Sequence, residues 1–239
     1  MQIKGRDIMF GLIAVVTGAA ATVAATSMGT PVSASDKSAV EKVVRDYILD
    51  HGEILQQSIE RLQAHQMAKV IDGNRTLIET PFHGAWEGNP NGDVVLVEFF
   101  DYACGYCRAS LPDVDRLLKD DPKLKIVYRE MPVLGPDSTA AAELSLRVAR
   151  KGSYAAFHRA AYLARPDAAV RAKLARQFGV DAASKDDEAT EEITANLQLQ
   201  NALRLTGTPS WIAGDKILSG AVGYDALKAA IADVRAGKK

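Results

Sequence analysis

The sequence predicts an α/β fold in which a helical block is inserted into the middle of one sheet, with a separate helical segment ahead of it. Three observations carry this prediction. One nearly continuous apolar, β-branched run, Asp93–Phe100 (DVVLVEFF), reads as a strand buried on both faces, and Leu124–Glu130 (LKIVYRE) is the next strand, beyond one helical pattern. From Asp137 to about Leu205 the pattern is helical throughout. A hairpin and a last helix then close the chain, so the sheet is completed only after the block.

Taken in order, the chain opens on a leader. Lys4 and Arg6 form a basic start, an apolar stretch runs from Ile8 to about Ala25, and Val32-Ser33-Ala34 supplies small residues. This reads as an export signal over residues 1–34, cleaved between Ala34 and Ser35. The apolar run also approaches the roughly 18–20 residues that span a bilayer, so an uncleaved anchor is the alternative. Either way the rest of the chain is placed outside the cytoplasm. No later segment is apolar enough to span. Removing Lys4, Arg6 and Asp7 takes the formal charge from −1 to −2, a balance that points to no nucleic-acid partner. Asp186, Asp187, Glu188, Glu191 and Glu192 cluster and read as a solvated helix start.

Residues 35–75 form the leading helical segment. Ser38-x-x-Glu41 is a capping-box pattern opening a helix with Val40, Val43, Val44, Tyr47 and Ile48 on one side, stopped at His51-Gly52. A second helix is expected from about Glu53 to Asp72, with Leu55, Ile59, Leu62, Met67, Val70 and Ile71 at three-to-four spacing. Two readings of this stripe stand: packing on its own domain, or self-association through residues 38–72.

The main domain is assigned to residues 76–239, with the insertion at about 137–205. Gly84 and Gly88–Gly92 mark a loop beside a short edge strand near Pro81–Ala85. After the first long strand comes a helix over Tyr106–Lys119, with Leu111, Val114, Leu117 and Leu118 inward and Pro112 as a kink. The insertion is divided at Gly152, near Arg165-Pro166 and at Gly179. Pro209–Ala213 and Lys216–Ser219 form a hairpin around Gly214-Asp215, and Tyr224–Arg235 is the closing helix. Strand, helix, strand, helical block, hairpin and helix make a thioredoxin-like sheet with a helical insertion.

The chemistry lies in the cysteines. There are two, Cys104 and Cys107, separated by Gly105-Tyr106. A structural bridge stabilises by closing a long loop, and this spacing closes almost none. At the junction of a buried strand and a helix, Cys104 lies where unpaired N–H groups favour a thiolate. Cys107, one turn on and facing inward, is placed to resolve a mixed disulfide held on Cys104. No His stands at ligand spacing for zinc; Cu(I) binding by two thiolates is chemically reasonable. In a thioredoxin-like domain the turn at Thr208-Pro209, before an apolar strand, is where a cis-proline sits beside the dithiol and leaves backbone free for an extended substrate; an ordinary trans turn is the alternative. Glu98, six residues before Cys104, would exchange protons with Cys107 if buried, and would be inert at a solvated edge. His158, Trp86 and Trp211 are assigned to core or surface. No cofactor is expected.

Phe99-Phe100-Asp101-Tyr102-x-Cys104-Gly105-Tyr106-Cys107, with Gly207-Thr208-Pro209 and Glu98, resembles the DsbA family of bacterial periplasmic thioredoxin-fold proteins. The leading helices make the chain most similar to the ScsC group, the suppressors of copper sensitivity. Some members of that group oligomerise through their N-terminal helices, so the resemblance implies self-association. The strongly oxidising DsbA pattern has Pro-His between the cysteines and usually Val before the cis-proline. Here Gly105-Tyr106 and Thr208 look like the isomerases. The resemblance implies a disulfide isomerase or reductase for exported proteins, returned to its working state by a membrane redox partner. A dithiol oxidase and a periplasmic copper-binding protein are the competing readings.

Overall fold

The computed structural model describes residues 34–164 and 167–237. The expected leader, apart from Ala34, lies outside the described residues, as does the Arg165-Pro166 break. Among the described residues there are eight helices and five strands. The chain divides into two compact units, one up to Ile59 and one from Glu60 onward.

The first unit holds α1 (Ala34–Asp50) and the start of α2 (Glu53–Glu79). Helix α1 begins four residues before Ser38, so the expected capping box lies inside the helix and caps nothing. Val40, Val43, Val44 and Tyr47 are each at least 50% exposed, as is Leu55 at the start of α2. Helix α2 also outruns its expected end at Asp72. Gly73 disfavours helix by about 1 kcal/mol, but Ile71 and Ile78 are both buried on the sheet, and burial of two such side chains outweighs that cost.

In the second unit, β1 (Trp86–Gly88), β2 (Val94–Phe100), β3 (Leu124–Glu130), β4 (Ser210–Ala213) and β5 (Lys216–Ser219) form one sheet in the order β1-β3-β2-β4-β5. Strands β2 and β3 are parallel and the other pairs antiparallel. The edge strand expected at Pro81–Ala85 is instead β1, five residues on. His83, at φ 45°, turns the chain before it can extend. Gly88 ends the strand at φ 88°, where an added Cβ would lie 2.4 Å from the Leu124 carbonyl oxygen.

Alternation along the strands sorts the core into two faces. Leu96, Phe100, Ile126, Tyr128 and Trp211 pack with Cys107, Val114 and Leu117 of α3 (Gly105–Asp120), with the insertion, and with Leu227 and Ile231 of α8 (Tyr224–Arg235). Val97, Phe99, Val127 and Ile212 pack with Ile71, Ile78, Leu199 and Leu203 on the other face. Pro112 sits inside α3 without ending it. The insertion comprises α4 (Pro136–Ala149), α5 (Tyr154–Leu163), α6 (Ala168–Gln177) and α7 (Asp187–Ala202). The acidic cluster starts α7, with Asp186 as its cap, its side chain accepting from Ala189 N–H.

One buried cation ties α2 and α7 to the sheet. Arg129, 2% exposed, donates to the carbonyls of Leu77, Ile78 and Thr80 at the end of α2, and to Glu192 and Asn196 of α7. It thereby satisfies carbonyls that a helix terminus leaves without partners.

Candidate active site

The sheet brings the dithiol and the Thr208-Pro209 turn to one end. Strand β2 runs to Phe100 and hands the chain, through Asp101–Ala103, to α3. Antiparallel pairing of Phe99 with Ser210 places Thr208 and Pro209 beside that exit. The Thr208–Pro209 peptide is cis. Ser210 Oγ donates to the Gly207 carbonyl at 2.7 Å and Gly220 N–H to the Pro209 carbonyl at 2.8 Å, which fixes the turn on both sides.

Cys104 is the N-cap residue of α3, in extended backbone, and its sulfur accepts from Cys107 N–H at 3.4 Å. Its thiol donates to the Thr208 carbonyl at 3.3 Å, so the first sulfur and the cis-proline turn are in direct contact. No acidic residue lies in the first turn of α3, which leaves the positive end of the helix uncompensated beside the sulfur. Both cysteines are free thiols. Cys104 keeps 6% of its surface and Cys107 only 1%, so an incoming disulfide meets Cys104. Burial, and then the Glu98 charge, push the Cys107 thiol well above its ordinary range; a backbone N–H of Asp101 works in the opposite direction.

Glu98 stands in the central strand, paired with Tyr128 on one side and Trp211 on the other, and is 2% exposed. The solvated-edge alternative is therefore overturned. By alternation it shares a face with Leu96 and Phe100, the face that packs against the dithiol. Burial, then the nearby Cys104 charge, raise its carboxyl well above the usual carboxylate range. The carboxyl can take the Cys107 proton only after losing its own, which is harder while Cys104 is charged and easier once Cys104 is held in a disulfide. Gly105 and Tyr106 face outward, Tyr106 at 70% exposure. The dipeptide puts no charge next to Cys104.

Several residues around the site escaped the sequence reading. Asp101 was noted only as part of a motif, yet its carboxylate takes four hydrogen bonds; the bond to Ala103 N–H is an Asx-turn, a signal that could have been read locally. Behind the dithiol turn, Tyr102 shares a hydrogen bond of 3.1 Å with His158 Nδ1. Glu130 accepts from Ser145 Oγ and Tyr154 OH. Their partners come from α4 and α5, and no local signal marks them. His158 and Trp211 are fully buried and Trp86 half-buried. Among the described residues, no three His, Cys, Asp or Glu side chains gather as a metal-ligand set, and no helix is long and apolar enough to cross a membrane.

Comparison with known proteins adds three kinds of finding. The family described as "DSBA-like thioredoxin domain" matches residues 95–232, and the "Copper resistance protein ScsC N-terminal domain" matches residues 36–69. A thioredoxin-like oxidoreductase from Silicibacter pomeroyi is 34% identical (TM-score 0.62; 67% of this chain and 96% of that one covered). A periplasmic thioredoxin-like protein from Salmonella enterica serovar Typhimurium is 25% identical (TM-score 0.63; 68% and 95% covered). Proteus mirabilis ScsC in a transitional conformation is also 25% identical (TM-score 0.66; 87% and 98% covered). No curated protein matches the chain.

Proposed function

We propose, since the chain belongs to the DSBA-like thioredoxin-domain family of thiol–disulfide oxidoreductases, that it reduces and isomerises disulfides in exported proteins. The Cys104 thiolate attacks one sulfur of a substrate disulfide. A Cys104–substrate disulfide forms, the substrate S–S bond breaks, and the second substrate sulfur leaves as a thiolate. In isomerisation that thiolate, or another on the substrate, attacks the mixed disulfide and returns Cys104 unchanged. In reduction the mixed disulfide removes the Cys104 charge that helps hold the proton on Glu98; the ionised Glu98 carboxylate takes the proton of Cys107, whose thiolate attacks Cys104, releases the reduced substrate and leaves the Cys104–Cys107 disulfide. A dithiol reductant at the membrane then supplies two electrons.

The observation that carries this direction is the dipeptide. Tyr106 is uncharged and points to solvent, so thiolate stabilisation at Cys104 rests on the helix terminus. A less stabilised reduced form means a less oxidising disulfide. Thr208-Pro209 would align an extended substrate segment against Cys104. Residues 38–72 would assemble copies of the chain, burying the exposed stripe of Val40, Val43, Val44 and Tyr47. The compartment is the periplasm, in keeping with the Salmonella protein.

Two measurements test the reading: the potential of the pair against glutathione, and recovery of activity by scrambled ribonuclease. A potential near the isomerase end, about −180 mV or lower, together with recovery is the expected result. A potential near −120 mV, typical of strong oxidants, with rapid oxidation of a dithiol peptide would establish the oxidase reading instead. The match of residues 36–69 to a copper-resistance protein favours one second reading, protection of exported thiols by Cu(I) binding at the dithiol. Stoichiometric Cu(I) binding lost in Cys104→Ser, without peptide turnover, would support it.

A further inference from the structure

Asp101 lies between the last residue of β2 and the dithiol turn and is 1% exposed. Its Oδ1 accepts from Ala103 N–H and from Ser138 Oγ, both at 2.7 Å. Its Oδ2 accepts from Val133 N–H at 2.9 Å and Leu134 N–H at 3.0 Å. One donor is local; two, Val133 and Leu134, come from the segment joining β3 to α4, and the last, Ser138, from the first turn of α4. All four donors are neutral, and together they use both oxygens of the carboxylate.

The backbone of the same residue addresses both cysteines. Its carbonyl accepts from Cys104 N–H at 3.0 Å and from Tyr162 OH at 3.2 Å. Its N–H favours the Cys107 thiolate that burial and Glu98 oppose, and Cys107 N–H in turn donates to the Cys104 sulfur at 3.4 Å. We propose that Asp101 is a positioning residue for thiol–disulfide exchange: by clamping the 133–138 segment onto the dithiol turn, its side chain holds its own peptide unit against both cysteines. An amide cannot replace it. Asn offers one acceptor oxygen and an NH₂ group, so it would set donor against donor on one side of the clamp.

The proposal rests on the dithiol being the working group, and one assay separates the two claims. Reduced protein is mixed with Ellman's reagent, a bis-aryl disulfide whose thiolate product is coloured. In the first phase Cys104 attacks; a Cys104–aryl disulfide forms and one aryl thiolate leaves. In the second phase Cys107 loses its proton, attacks the Cys104 sulfur and expels the second aryl thiolate. The Cys104–Cys107 disulfide remains.

Wild-type protein should show both phases, and a single phase would refute the dithiol reading itself. In Asp101→Asn the second phase should slow about tenfold at neutral pH and its pH profile should move up by about one unit, since tenfold in thiolate fraction is one unit of pKa. The first phase should change far less. Loss of one clamp bond in Ser138→Ala, a milder change, should slow the second phase by about threefold. Circular dichroism establishes that each variant is folded. If Asp101→Asn does not fold, Ser138→Ala decides. Wild-type second-phase rates and pH profiles in the folded variants would overturn the proposal, as would equal slowing of both phases.

Discussion

His158 offers a prediction whose size follows from its surroundings. The ring is fully buried among Phe100, Tyr102, Tyr128, Tyr154 and Tyr162. Nδ1 shares its hydrogen bond with Tyr102, and Nε2 has no protein partner among the described residues. Burial first, and then the Arg159 charge, lower its pKa from 6.5 to about 3. Because the folded value is depressed, the folded state refuses a proton that the unfolded state accepts. Above about pH 6.5 both states are neutral and the stability contribution is complete; below it, stability is lost until the folded ring also titrates. At about pH 5 the loss is 1.5 pH units below the unfolded pKa, or ~2 kcal/mol, and over the whole interval it approaches ~5 kcal/mol. Urea unfolding of wild type and His158→Gln, followed from about pH 7 to pH 5, isolates this term, since other titrating groups are common to both proteins. The intercept of the variant will differ because Tyr102 changes partner; the slope is what counts. Wild type should lose ~2 kcal/mol more than the variant over that range. Parallel slopes would refute the reasoning and mean that the ring takes its proton in the folded state.

Glu130 acts in the opposite sense. Burial raises its carboxyl well above the ordinary 4.5, so its contribution is full below that value and is lost as pH rises from there through the folded pKa; Glu130→Gln should flatten the decline in urea midpoint as pH rises above about 4.5. Replacing Glu98 by Gln should slow the second, Cys107-dependent phase of aryl thiolate release by about a hundredfold, the lower range for loss of a general acid–base group, while the first phase is unaffected. Arg129→Met removes one partner of a buried ion pair and leaves Glu192 and the α2 carbonyls without their donor. It should cost ~3–5 kcal/mol in urea unfolding, with the dithiol potential unchanged.

The parts of the fold that were legible in the sequence are those whose cause is local. Strand β2 has both faces covered and is apolar but for Glu98, and β3 carries a β-branched and aromatic centre at Ile126–Tyr128, so the bounds of both emerge almost to the residue. The hairpin and α8 carry their own turn residues. By contrast β1 is three residues of an edge strand, placed by a positive φ at His83 and by Gly88 lying against Leu124. No periodicity can arise in so short a strand. The end of α2 was hidden because Gly73-Asn74 looks like a stop; tertiary burial of Ile78 and the Arg129 contacts keep the helix going. At the site, the spacing of Cys104 and Cys107 announced itself, and Thr208-Pro209 followed from it. Of Asp101 only the Asx-turn to Ala103 was local; Glu130 and His158 gave no local signal, because their partners lie at least fifteen residues away across the insertion.

The whole core closes without a covalent crosslink, and the chain contains no sulfur of cysteine beyond Cys104 and Cys107. Only one intramolecular pairing therefore exists. The protein cannot scramble bridges within its own chain, so its folding includes no disulfide-shuffling step. Each oxidation state is a single covalent species, so any thiol counted on the purified protein reports directly on the reacting pair.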